Sequence, residues 1–121
     1  MTVMDAIREA DRLRPNSFPT EDKLRWLDRL ERRLREEICA RHRGTVPTLP
    51  AFSAEDMTRE LLAEAPYDEL YIHWLCAQMD YYNGELDSFN AAEAMFEAVY
   101  RQYRNAYNRS HLPLGTGMRW F

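Results

Sequence analysis

Between Tyr67 and Tyr82 apolar residues recur every three or four positions. Tyr67, Leu70, Tyr71, Trp74, Leu75 and Met79 form one stripe, the period of an α-helix. Ile72, Cys76, Ala77 and Tyr82 widen the apolar surface almost all round, as in a helix packed by several neighbours. Pro66 suits a first helical turn, where its missing N–H costs nothing. Asp68 and Glu69 place negative charge at the positive end of the helix dipole, and Asn83-Gly84 tolerates the left-handed conformation that ends helices. The pattern predicts a central helix over residues 66–83.

The rest of the chain arranges itself around that helix. Thr2 can cap a first helix over about residues 2–13, with Val3, Ile7 and Ala10 on its apolar face. Pro15-Asn16 stops it, and Phe18 before Pro19 reads as a core plug. Thr20 reads as the N-cap of a second helix over about 20–42, with Glu21 and Asp22 in its first turn. Its stripe is Leu24, Leu27, Leu30 (or Glu31 beside it), Leu34 and Ile38, with Trp26 on the same side. The outer face carries the i,i+4 pairs Asp28–Arg32, Arg32–Glu36 and Arg33–Glu37. Gly44 closes this helix, and Thr45–Leu49 reads as a short strand or extended arm.

Residues 44–65 are the least regular part, although Ser53 and Asp56 resemble a capping box that would start a turn or two of helix near 54–62. A loop of that length in a compact domain is commonly functional. After Asn83-Gly84 a fourth helix over about 86–109 presents Phe89, Ala92, Phe96, Val99, Tyr103 and Ala106 at near-heptad spacing. So short a connection predicts an antiparallel helix hairpin. The expected fold is all-α: a small four-helix domain over residues 1–111 with a long irregular middle loop and an extended C-terminal tail over 112–121. In that tail Pro113, Gly115 and Gly117 oppose helix while Leu112, Leu114, Met118, Trp120 and Phe121 are apolar. Solvated termini are normally polar, so the tail is expected to pack on its own body or on a partner.

Bulk composition narrows the class. At 121 residues, with 45% hydrophobic and 30% charged residues, this is one ordinary globular domain. A net charge of −4 argues against a dedicated nucleic-acid binder. No apolar run reaches the roughly 20 residues of a membrane span. The amino-terminal stretch has no signal-like apolar region, and two Cys in such a chain point to reduced thiols in a cytosol. Charge is unevenly spread. Residues 60–97 hold nine acids and no Lys or Arg, whereas residues 23–43 hold eight bases, among them Arg25, Arg29, Arg32 and Arg33, against four acids. One reading is a solvated surface whose halves happen to differ. The other is a bipolar subunit whose basic face meets the acidic face of the next copy, which generates rings.

Candidate chemistry is sparse. Cys39 with His42 and His73 with Cys76 each sit at i,i+3 on expected helices, a donor set suited to zinc. The spacing matches no common zinc motif, and free Cys is among the most buried residue types, so two buried thiols are the expectation and neither metal nor cofactor is. No nucleophile triad, carboxylate pair or phosphate loop has a convincing context, and the chain is expected not to be an enzyme. The tyrosines cluster on the last two helices as packing residues, some of them interface anchors.

Several blocks resemble a known family. Arg14-Pro15-Asn16 follows the first helix, then Glu21-Asp22-Lys23-Leu24-Arg25-Trp26-Leu27, and later Leu61-Leu62 and Ala65-Pro66-Tyr67-Asp68-Glu69-Leu70-Tyr71. Trp74-Leu75, Asp80-Tyr81-Tyr82-Asn83-Gly84-Glu85, Phe89-Asn90, Tyr107-Asn108-Arg109, His111 and Pro113 complete the set. The chain is similar, over nearly its whole length, to tailed-bacteriophage and prophage proteins of the head–tail connector (adaptor) class. The resemblance implies a structural virion protein made in the host cytoplasm, a helical bundle that forms a homo-oligomeric ring beneath the portal protein and joins head to tail. Its implied partners are further copies of itself, the portal and the next tail-completion (stopper) protein, with DNA only passing through the channel and no membrane. The interface residues expected on this reading are Arg25, Arg29, Arg32, Arg33, Leu112, Leu114, Met118, Trp120 and Phe121. The alternative is a small DNA-binding regulatory protein that reads DNA with the basic second helix.

Overall fold

The computed structural model describes residues 1–39 and 51–111. Among the described residues it is all-α, with four helices, α1 (Val3–Leu13), α2 (Thr20–Glu37), α3 (Glu69–Tyr82) and α4 (Leu86–Ser110), and a 3-10 turn at Ala54–Asp56. The expected end of the second helix at His42, its closure by Gly44, the arm Thr45–Leu49 and the tail residues Leu112, Leu114, Met118, Trp120 and Phe121 lie outside the described residues.

Helix α3 is central, as its all-round apolar pattern predicts. It packs most extensively on α4, and also against α1 and α2. Leu70, Tyr71, Leu75, Ala77 and Met79 are fully enclosed. They meet Val3, Ala6 and Ala10 of α1, Leu27, Leu30 and Leu34 of α2, and Ala92, Phe96 and Tyr100 of α4 in one core. Trp74 is only half-buried; its ring lies 5.1 Å from Phe96 and its Nε1 donates to the Trp26 carbonyl at 2.8 Å. Asn83-Gly84 makes the expected tight hairpin to α4, with Gly84 at φ 74°, a conformation that suits Gly because it has no Cβ.

Three helix boundaries differ from the sequence expectation, each for a local reason. The N-cap of α2 is Pro19, not Thr20. The Pro19 carbonyl accepts from Asp22 N–H at 3.1 Å, and no side chain caps the end. Helix α2 stops at Glu37 because Ile38 and Cys39 turn into the core, where both are about 1% exposed or less. Helix α3 begins at Glu69, three residues after Pro66. The cis Ala65–Pro66 bond sits in a preceding turn whose N–H groups at Tyr67, Leu70 and Tyr71 bond three residues back.

The amino end of α1 is completed from far along the chain. The first N–H groups of a helix have no partner inside it. Here Val3 N–H donates to the Arg59 carbonyl at 3.0 Å and Met4 N–H to the Met57 carbonyl at 2.9 Å, while Asp5 N–H donates to Thr2 Oγ1 in a capping box. Leu61 N–H reaches the Met1 carbonyl at 2.9 Å, and Thr2 bridges Glu60 in antiparallel sense. The 3-10 turn before this segment carries the capping box expected from Ser53 and Asp56.

Candidate interaction surfaces

Charges that look like surface charges in the sequence are partly internal struts. Asp80, 3% exposed, accepts the single Nε–H of Arg14 between its two oxygens, at 3.0 and 3.2 Å, and so ties α3 to the end of α1. Lys23 is buried and its Nζ lies 2.8 Å from Asp11 across the α1–α2 contact. Both therefore drop out of the bipolar surface pattern.

Glu31 is the third buried charge. Its carboxylate accepts from Tyr71 Oη at 2.5 Å and from Leu62 N–H at 2.9 Å, and the same Tyr71 oxygen accepts from Ala63 N–H at 2.8 Å. One carboxylate thus pins α2, α3 and the 61–63 segment together. Burial lifts the Glu31 carboxyl above its ordinary value, and the hydrogen bonds from Tyr71 and Leu62 offset only part of that rise. A carboxyl raised on folding holds its proton more tightly in the native state, so its contribution is complete below the unfolded value and is lost as pH rises through the folded one. The stability advantage of wild type over Glu31→Gln is therefore expected to shrink as pH rises above the ordinary carboxylate range, as measured by urea unfolding of both proteins. A difference that stays flat or grows with pH contradicts this assignment.

The four arginines expected at an interface divide. Arg25, Arg29 and Arg32 are exposed on α2. Arg25 pairs with Asp22 at 2.5 Å and Arg32 with Asp28 at 2.7 Å, whereas Arg29 has no ion pair among the described residues. Arg33 belongs to the fold. Its guanidinium lies 4.5 Å from the Tyr100 ring centre and 5.5 Å from that of Phe96, and it pairs with Glu37 at 3.0 Å. The Tyr100 hydroxyl donates to Glu37, and burial, with Glu37 adding to it, pushes that hydroxyl up to about 12. Arg33 thus clamps α2 onto α4.

An apolar surface, within the tyrosine-rich last two helices that the sequence marked for packing and interface anchors, lies at the α3–α4 turn. Tyr81 and Tyr82 are each 56% exposed and Leu86 is 64% exposed. Tyr82 is held by stacking on Trp26 at 5.6 Å, with Phe18 edge-on to the Trp26 ring. Tyr81 leans on Phe89 and on Tyr82. Exposed Glu85 and Asp87 flank this cluster. The signal available in the sequence was the doublet Tyr81-Tyr82: adjacent helical residues point about 100° apart, so one core cannot cover both fully.

A second concavity, of about 360 Å³, lies where the Leu62–Tyr67 segment meets the last turns of α4. Tyr67, Tyr103, Ala106 and Tyr107 form its walls, with Glu64 and His111 also lining it. Tyr107 stacks flat on His111 at 3.7 Å.

Among the described residues the thiols do not gather with His73 into a metal site. Cys39 is buried beside Tyr103 and Tyr107, and Cys76 is buried near Arg14 and Asp80. Burial raises both thiols above their ordinary value and lowers His73. His42 lies outside the described residues, and among those described no three His, Cys, Asp or Glu side chains gather as a metal site would require. No described helix is long and apolar enough to cross a membrane. A scan against protein-family models finds no matching family, and searches of curated proteins and of solved structures find no match.

Proposed function

We propose that this chain is a non-enzymatic structural subunit of the head–tail connector class, which assembles as a homo-oligomeric ring on the portal of a tailed bacteriophage and acts in the virion neck. The observation that carries the reading is the α3–α4 turn. An apolar cluster of Tyr81, Tyr82 and Leu86 is left exposed beside Glu85 and Asp87, in a chain whose α2 also exposes Arg25 and Arg29. Exposed apolar clusters rimmed by polar residues mark protein contacts, and acids beside one cluster with arginines on another element allow a head-to-tail contact, which closes into a ring when the rotation permits. The resemblance of the Ala65–Tyr71 and Asp80–Glu85 blocks to connector proteins supplies the particular assembly. The pairing of Arg25 and Arg32 with their own helix neighbours leaves less free positive charge for phosphates, which disfavours the DNA-reading alternative.

The test is assembly. Purified protein mixed with portal rings is expected to give closed rings docked on the portal, seen by electron microscopy and mass photometry. A protein that stays monomeric with and without portal, or that instead binds duplex DNA with a steep salt dependence, overturns the proposal.

A further inference from the structure

We propose that the outward face of α4 pairs with the same face of a second copy of this chain, the two helices lying antiparallel about a twofold axis at Ala98. A single ring repeats one contact in one sense and puts no twofold contact between its neighbours. The pair is therefore a form of the free subunit, and it goes beyond the ring reading.

The charges of α4 are sorted along its length. Asp87, Glu93 and Glu97 lie in the first half, and Arg101, Arg104 and Arg109 in the second. Such a helix repels a parallel copy of itself and attracts an antiparallel one. Two of these charges stand ready for that contact. Asp87 and Arg109 are exposed, and neither has an ion pair among the described residues.

Helix geometry sets the register. Ala98 is eleven residues from Asp87 and eleven from Arg109, about three turns each way, so all three share one face. The buried residues Ala92, Phe96, Tyr100 and Tyr103 occupy the other side. With Ala98 against itself, two antiparallel copies place Asp87 of each against Arg109 of the other, and the two ion pairs stand about 33 Å apart. Ala91 and Ala98 are exposed and small enough for the helices to approach to about 8 Å. Met95, 53% exposed, falls opposite Gln102 of the second copy and loses solvent. A patch in which residue i meets j and j meets i is self-complementary, as a twofold contact requires. The helix dipole alone also rewards an acid at the start and a base at the end, but it gives no reason for an apolar Met95 beside the same face.

The test is sedimentation equilibrium of the full-length protein from about 1 μM to about 1 mM. Wild type is expected to show a monomer–dimer equilibrium. Asp87→Arg and Arg109→Asp, each alone, should weaken the dimer roughly tenfold or more, because each puts two like-charged pairs into the contact. An equal mixture of the two variants should recover it, since both end pairs are then opposite in sign, and native mass spectrometry should find the mixed dimer in excess. Lost helix stability in the single variants would not produce that recovery. On an otherwise native chain, Ala98→Cys is expected to oxidise to a disulfide-linked dimer, the native thiols of Cys39 and Cys76 being buried. A protein that is monomeric throughout overturns the proposal. So does a mixture that associates no better than its components, or an Ala98→Cys variant that forms no cross-link. Rings on the portal without this pair sink the inference and leave the ring reading standing; the pair without rings does the reverse.

Discussion

Tyr71→Ala is expected to leave most of the isolated protein unfolded at room temperature. The ring is fully enclosed in α3, and truncating a buried aromatic costs about 3–5 kcal/mol. The substitution also removes the hydroxyl that donates to Glu31 and accepts from Ala63 N–H. A buried carboxylate and an N–H would lose a partner each, at about 1–3 kcal/mol per group. Against a total near 5–15 kcal/mol, the sum removes most of the margin. Tyr71→Phe separates the two parts. It keeps the packing and loses only the hydrogen bonds, so its urea midpoint is expected between those of wild type and Tyr71→Ala. If Tyr71→Ala unfolds at the wild-type midpoint, the buried junction at Glu31 is not what holds α2 to α3.

The second large effect is expected on assembly rather than folding. Reversing Arg25, Arg29 and Arg32 to Glu removes the exposed positive charge of α2 and spares Arg33, the clamp on Tyr100 and Glu37. The melting midpoint of the monomer is expected to stay close to wild type, because surface ion pairs contribute little to stability. Ring formation is expected to weaken roughly tenfold or more, because like charges facing one another across an interface are strongly unfavourable. Wild-type assembly should itself weaken as salt rises, since screening shortens the reach of exposed charges to about 8 Å at physiological ionic strength. A variant that assembles like wild type at every salt concentration removes the electrostatic half of the proposal. Adding Arg33→Glu is expected to lower the melting midpoint as well, which distinguishes a residue that holds the fold from residues that face outward.

Periodicity made the four helices legible, because an apolar stripe at every third and fourth residue lines one face of a helix and would scatter over both faces of a strand. Their ends were harder to read. Helix α2 stops where Ile38 and Cys39 turn into the core, and Cys39 meets tyrosines over sixty residues away on α4. That meeting leaves no trace in the local pattern. Charge was misread for the same reason: Lys23 sits among other charged residues in sequence and Asp80 is the lone charge between Glu69 and Glu85, but their partners Asp11 and Arg14 come from α1 and its end. Glu31 did leave a hint, since it falls beside Leu30 within the apolar stripe of α2. What it binds, Tyr71 and the Leu62 amide, is fixed only by tertiary packing. The hairpin-tip cluster was half legible, as an excess of tyrosines without a place.

The way α1 begins sets an order on the chain's maturation. Its first two amide protons are accepted by the carbonyls of Arg59 and Met57, and Leu61 N–H bonds back to Met1. An eleven-residue helix alone is marginal in water, so α1 cannot settle on leaving the ribosome until the segment around Leu61 has also emerged. On a ribosome adding about 5–20 residues per second, that interval lasts several seconds. Nascent chains arrested before Leu61 should therefore show α1 open to proteases, and protection should appear as a step once that segment is free.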